Sequence, residues 1–220
     1  MKVIITGATG MVGEGVMQQC LLDPAVTEIL LVNRNASGYA NPKLHEIIHE
    51  NFFDFSTSGQ VLSGYDACFF CLGVSSIGMK ENEYFEQTYN LTLALAEQLS
   101  KVGPGMTFCY ISGAGTDSSE TSRTWWARIK GKTENALMRL PFEKVFAFRP
   151  GFIKPTKGLK KTHHFYRYIT WLFPLGRLLY PTGFCTMEEL GKAMIRSVSL
   201  REKRKVIAGK EIIQLAAGKE

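Results

Sequence analysis

The stretch KVIITGATGMVGEG, residues 2–15, decides how the rest of the chain is read. It begins with a short β-branched run that glycine ends at once, which predicts a strand. Gly7, Gly10 and Gly13 follow in G-x-x-G-x-x-G spacing, and Met11 to Leu22 reads as a helix that Pro24 stops. Such a loop suits a dinucleotide. The first glycine permits a tight turn, the second lets the backbone approach a pyrophosphate, and the third lets the helix pack on the strand. Amides at the helix start, around Thr9, Met11 and Val12, then hold the phosphates. Glycines alone are a weak signal; their place between a strand and a helix makes this one strong.

Outward from that loop, strands and helices alternate. TEILLVN (27–33), EIIHENFFDF (46–55), DACFFCLG (66–73), MTFCYIS (106–112) and KVFAFRP (144–150) read as strands. Residues 81–102 and 123–139 read as helices between them. This alternation predicts an α/β fold, a Rossmann-type doubly wound parallel sheet covered on both faces. Beyond Pro150 the pattern loosens. A basic, aromatic segment, KKTHHFYRYITWLF, precedes an amphipathic helix, MEELGKAMIRSVS, and two short late strands, KVIAG and EIIQL. With no linker or repeat, a single domain over 1–220 is expected. Residues 1–151 form its cofactor-binding core and 152–220 a substrate or lid extension packed on it.

The end of the second strand selects the dinucleotide. An acidic residue there would bind a ribose 2′-hydroxyl, but the chain reads Val32-Asn33-Arg34-Asn35. Arg34 can clamp a 2′-phosphate, so NADP(H) is expected in preference to NAD(H). Asp54 and Phe55 are placed to border the adenine.

Composition excludes several classes. The chain is 45% hydrophobic and 21% charged, and its net charge of +6 lacks the concentrated basic stripes of a nucleic-acid binder. No apolar run resembles a signal peptide or a membrane span. Five cysteines, mostly inside apolar runs, imply reduced thiols, and a cytoplasmic setting is expected. No metal is expected. HEIIH (45–49) has zinc-protease letters but runs into β-rich sequence, CFFC (68–71) sits in an apolar strand, and YANPK (39–43) is broken by Pro42.

RTWWARIKGKTEN (123–135) carries the chemistry. Together with GATGMVG, the CLG of Cys71-Leu72-Gly73, YISGAG and the RPG of Arg149-Pro150-Gly151, it resembles the short-chain dehydrogenase/reductase superfamily in its extended and atypical branches. K-G-x-x-E and RPG-x-I are similar to the Tat-interacting, oxidoreductase-like branch and to bacterial nucleoside-diphosphate-sugar epimerase-like proteins. The resemblance implies that Ser112 polarises a substrate oxygen and that Lys130 binds the nicotinamide ribose. It also adds Cys71, Leu72, Gly73, Pro150 and Gly151 to the cofactor-binding set. The position of the family's catalytic tyrosine is Trp126, and an indole N–H is no acid–base catalyst.

Two functions are therefore open. One is an NADP-dependent oxidoreductase or epimerase acting on a carbonyl or secondary alcohol, its proton supplied by Ser112, a water or a tail tyrosine such as Tyr166. The other is a weakly active or inactive dinucleotide-binding module that regulates a protein partner. A small-molecule substrate is expected either way. Residues 163–181 offer a lid, with Tyr166 or Tyr168 near the nicotinamide, or a protein or membrane-surface contact.

Overall fold

The computed structural model describes residues 1–156, 158 and 173–219. Seven strands form one sheet: β1 (Lys2–Thr6), β2 (Glu28–Asn33), β3 (Leu44–Ile48), β4 (Ala67–Phe70), β5 (Thr107–Ile111), β6 (Lys144–Arg149) and β9 (Arg204–Ala208). Their order is β3-β2-β1-β4-β5-β6-β9, and every pairing is parallel. The chain therefore winds one way from β1 through β3, returns to β4, and winds the other way. This is the doubly wound sheet expected from the alternation, with its switch point between β1 and β4.

Alternation along each strand builds two cores. Val3, Ile5, Leu31, Phe69 and Phe146 face one side, under α1 (Met11–Leu22), α6 (Met187–Ser197) and α7 (Lys210–Ala216). Ile4, Leu30, Phe70, Phe108 and Tyr110 face the other, under α3 (Leu91–Val102) and α4 (Trp125–Arg139). α2 (Glu81–Phe85) leads into α3 through a π-helical turn, Glu86–Asn90, so the single helix expected over 81–102 carries a bulge. α1 and α6 cross closely because both lack side chains at the contact. A Cβ on Gly15 would lie 2.1 Å from Met187 Cγ, and one on Gly191 would lie 2.6 Å from Gln19 Cγ.

The late chain corrects two expectations. EIIQL is not a strand; it lies in α7, which puts Ile212, Leu215 and Ala216 on one buried face. A five-residue apolar run fits either period, and here the three–four spacing won. The third strand is also shorter than expected: β3 ends at Ile48, and Phe52 and Phe55 turn under the sheet as core. β7 (Phe152–Lys154) pairs in parallel with β8 (Phe184–Thr186), and α5 (Phe173–Leu179) precedes β8. The amino terminus of α6 carries a capping box between Thr186 and Glu189, and Arg177 from α5 binds both Glu189 oxygens, at 3.0 and 2.6 Å. Most of residues 163–181, Tyr166 and Tyr168 among them, lies outside the described residues.

One ion pair crosses the second core. Glu134 on α4 is 1% exposed, and Arg149 at the end of β6 binds both its oxygens, Nε to Oε1 at 2.9 Å. Replacing Arg149 by Ala leaves a buried carboxylate uncompensated and should cost about 3–5 kcal/mol in chemical denaturation. A loss below about 1 kcal/mol would mean that water or another group takes over the charge.

Candidate functional site

The carboxyl ends of β1, β4, β5 and β6 carry the loops that hold the expected residues. Gly7 follows β1 with φ +71°, and a Cβ there would come 2.9 Å from the Leu72 amide nitrogen. The loops after β1 and β4 are therefore in backbone contact, and Cys71 and Leu72 border the glycine loop. Gly13 closes the turn, since a Cβ on it would sit 2.2 Å from the Gly7 carbonyl oxygen. Gly10 donates its amide to that same oxygen at 2.9 Å and caps α1 without a side chain. A Cβ on Gly10 would meet only the Gly7 oxygen, and one on Gly73 or Gly113 would meet nothing within 4 Å. These open faces form a backbone-lined cradle at the switch point.

A buried residue that sequence reasoning passed over locks the cradle. The Asn33 side chain accepts a hydrogen bond from the Ala8 amide at 3.2 Å and donates to Glu46 at 2.8 Å. Glu46 in turn accepts from the Ser37 amide at 2.9 Å. Asn33 thus ties the glycine loop to β3 and the turn after β2, and leaves Arg34 exposed beside it. Glu14, buried in the first turn of α1, accepts a hydrogen bond from the Tyr39 hydroxyl. A polar residue at the buried end of a strand was the signal for Asn33; nothing in the sequence marked its partners.

Asp54 and Phe55 part company. Phe55 is core, stacked on His49 with ring centroids 4.2 Å apart, whereas Asp54 is exposed. The Asp54 carboxylate accepts from the Ser56 amide at 2.9 Å, and that hydrogen bond holds its pKa below the usual carboxylate value. His49 also contacts the Asp54 carbonyl oxygen at 2.8 Å. HEIIH runs along β3 and ends just past it at His49, so its two imidazoles do not share a helical turn. CFFC runs through β4, and burial pushes the thiols of Cys68 and Cys71 well up.

Ser112, just past β5, is buried, and its amide donates to the Phe148 carbonyl at 2.8 Å. Its hydroxyl lies 2.9 Å from Thr116 Oγ1, which donates its own proton to the Gly113 carbonyl at 2.8 Å. With that proton committed, the Ser112 hydroxyl is the donor within the pair. The segment between β5 and α4 is then pinned. Asp117 accepts from the amides of Ser119, Thr121 and Ser122, and these bonds with the Ser119 hydroxyl lower its pKa to about 2.

Helix α4 packs on this segment and on the strands to either side of it. Its K-G-x-x-E run divides the work: Lys130 points to the Tyr110 ring, Gly131 lies under Asp117, and Glu134 holds Arg149. A Cβ on Gly131 would be 1.7 Å from the Asp117 carbonyl oxygen. Lys130 is half-buried, its Nζ 5.4 Å from the Tyr110 ring centroid. Desolvation lowers its pKa to about 8, although Glu134 pulls the other way. Trp126, one turn earlier, lies against the Gly115 loop; a Cβ on Gly115 would be 3.1 Å from the indole edge. Trp125 packs edge-on against buried Tyr84, with centroids 5.3 Å apart. Just past β6 the Pro150 carbonyl accepts from the Ala114 amide at 2.9 Å, and a Cβ on Gly151 would be 2.3 Å from the Gly183 carbonyl oxygen.

Comparison with known proteins agrees with the fold. The model of the NAD dependent epimerase/dehydratase family matches residues 3–124. A protein of Emericella nidulans named fmp52, mitochondrial, is 29% identical over 159 residues, 69% of this chain and 66% of that protein. Protein FMP52, mitochondrial, of Eremothecium gossypii is 25% identical over 98% of this chain and 97% of its own length. Protein HTATIP2 of Rattus norvegicus is 25% identical over 69% of this chain, which spans 62% of that relative. In fold the chain is similar to uronate dehydrogenase from Agrobacterium tumefaciens, with TM-score 0.69, 16% identity and coverage of 94% and 76% of the two chains. The relatives named mitochondrial overturn the expected cytoplasmic setting. Reduced thiols, from which that expectation came, do not distinguish the two compartments.

Gly131→Ala should drive the β5–α4 segment off the helix. Hydrogen exchange at the amides of Ser119, Thr121 and Ser122 should then quicken by about tenfold or more, with β1 to β4 unchanged. Unchanged exchange at those three amides would show that the segment does not depend on contact at Gly131.

Proposed function

Because the chain belongs to the NAD dependent epimerase/dehydratase family, we propose that it binds a nicotinamide dinucleotide and acts on a carbonyl or secondary alcohol. It is an oxidoreductase, or an epimerase that retains its cofactor, and it takes NADP(H) in preference to NAD(H). The observation that carries this reading is the contact of the β1 and β4 loops, where Gly7 leaves no room for a side chain against Leu72. A bound nicotinamide supplies reversible hydride transfer there.

The residues fit such a group. The loop from Gly7 through Thr9, Gly10, Met11 and Val12 to Gly13 holds the pyrophosphate on backbone amides. Arg34 is exposed directly after β2 and meets a 2′-phosphate. Asp54 borders the adenine with Phe55 behind it, while Cys71, Leu72, Gly73, Pro150 and Gly151 line the nicotinamide half. Ser112 turns its hydroxyl from Thr116 to a bound substrate oxygen, Lys130 lies beside the ribose, and Trp126 walls the substrate side. Residues 152–220 form the substrate and lid extension of a single domain. The relatives' names suggest a mitochondrial setting for this chain. No finding favours the regulatory module.

NADPH should bind more tightly than NADH in calorimetry, and Arg34→Ala should remove about ten- to 100-fold of affinity for NADPH alone, the value of one charge-assisted hydrogen bond. Equal affinities in the wild type would end the role given to Arg34. In a screen of carbonyl compounds for NADPH oxidation, Ser112→Ala should lower turnover by about 100-fold, as loss of an oxyanion donor does. Turnover that survives this change would remove Ser112 from the site.

A further inference from the structure

Among the described residues, the side chains around Lys130 leave one source for the proton that the missing phenol would have carried. Tyr84 on α2 and Tyr110 on β5 are 2% and 1% exposed, and burial raises both phenols. The indole N–H of Trp126 can donate a hydrogen bond but does not release its proton at useful pH. The Ser112 hydroxyl has Thr116 for a side-chain neighbour and no base to restore a proton it gave up, and the Asp117 carboxylate is occupied by the amides of Ser119, Thr121 and Ser122. On α4 itself, both oxygens of Glu134 are taken by Arg149 of β6. Arg128, also on α4, is paired with Glu81 of α2 at 2.9 Å. Among the described residues, then, the Lys130 ammonium faces an aromatic ring and has no carboxylate bonded to it.

We propose that Lys130 is itself the general acid–base, exchanging its proton directly with the substrate oxygen in place of the absent tyrosine. This rests on the oxidoreductase reading above and assigns the proton that reading leaves unassigned. In reduction, hydride with its electron pair adds to the carbonyl carbon, and the C=O π pair moves onto oxygen. The Nζ–H bond of Lys130 breaks with its pair left on nitrogen, and the proton completes the alcohol. The hydride comes from a reduced nicotinamide dinucleotide, which is oxidised as the carbonyl is reduced. The neutral amine regains its proton from solvent. Alcohol oxidation runs the same transfers backwards, with the neutral amine as base.

Burial supports the assignment. A lysine lowered to about 8 exchanges protons near neutral pH, whereas an ordinary lysine at about 10.4 does so poorly. Because the ammonium is the donor, reduction should fall as pH rises through about 8. Oxidation needs the amine and should rise over the same range.

Two measurements test this. In cofactor-free protein, competitive reductive methylation read by peptide mass spectrometry should show Lys130 half-reactive near pH 8, with surface lysines near about 10.4. With NADPH and 4-nitrobenzaldehyde as an activated carbonyl probe, Lys130→Arg should lower kcat about 100-fold or more. Its NADPH affinity should stay within about threefold of the wild type, since arginine keeps the positive charge beside the ribose. The proposal is overturned if Lys130 titrates with the surface lysines, or if the arginine variant keeps wild-type kcat. A wild type that binds no dinucleotide, with Lys130 still half-reactive near pH 8, overturns the oxidoreductase reading, and this assignment falls with it. The methylation result does not depend on how well the variant folds.

Discussion

A carboxylate that is 1% exposed must be paired, and Glu134 is paired by Arg149 through both oxygens. The penalty for burying either charge alone makes this contact an orientation constraint more than a source of stability. It fixes the rotation of α4 against β6, and with it the direction in which Lys130, one turn earlier, points. It also occupies the only carboxylate on α4 near Lys130. The ammonium is left over the Tyr110 ring, where a cation–π contact replaces part of its lost hydration. The pair thus sets where Lys130 points, while desolvation sets its lowered proton affinity.

The loops at the carboxyl edge are joined by a second constraint, the approach of backbone to backbone. Gly7 meets Leu72, Gly13 meets Gly7, Gly131 meets Asp117 and Gly151 meets Gly183, each closer than a Cβ would allow. These contacts link β1 to β4, α1 to its own entry loop, α4 to the β5 loop, and β6 to the turn before β8. Loop residues gain from this a precision that loops alone rarely have, because each is seated on a strand end or a helix. Phosphate binding by amides needs that precision, since a peptide dipole cannot swing to meet its ligand as a side chain can.

Much of this was legible in the sequence, for reasons that differ from place to place. Gly7, Gly10 and Gly13 follow a strand and open a helix, so the turn, the close approach and the helix contact can be read from spacing alone. Glu134 and Arg149 stood out only as letters of two motifs, K-G-x-x-E and RPG. That they form one ion pair depends on β6 running beside β5 under α4, which no local pattern encodes. Asn33 was noted for not being acidic, while its structural work, bonding Ala8 and Glu46, depends on β3 lying next to β2. Asp54 and Phe55 were adjacent and received one role, yet a single turn sends Phe55 into the core and Asp54 to solvent. EIIQL shows the limit of periodicity in five residues, where tertiary packing decides between strand and helix.

Trp126 is better understood by what it does to its surroundings than by what it lacks. A phenol and an ammonium have similar ordinary pKa values, about 10 and 10.4, so neither exchanges protons well at neutral pH until its environment shifts it. The usual arrangement shifts the phenol by placing a cation beside it, a Coulombic device that needs both groups. Here the resemblance puts an indole where the family carries a phenol, on the same helical face as Lys130 and against the Gly115 loop, while Lys130 itself lies over the Tyr110 ring. Desolvation disfavours the charged amine, which is the shift that a lone lysine requires. On the proposal made above, a one-group solvation device at Lys130 stands in for the family's two-group electrostatic device. It holds only while Glu134 remains bound to Arg149, because a free carboxylate one turn away would restore the ammonium and stop the exchange.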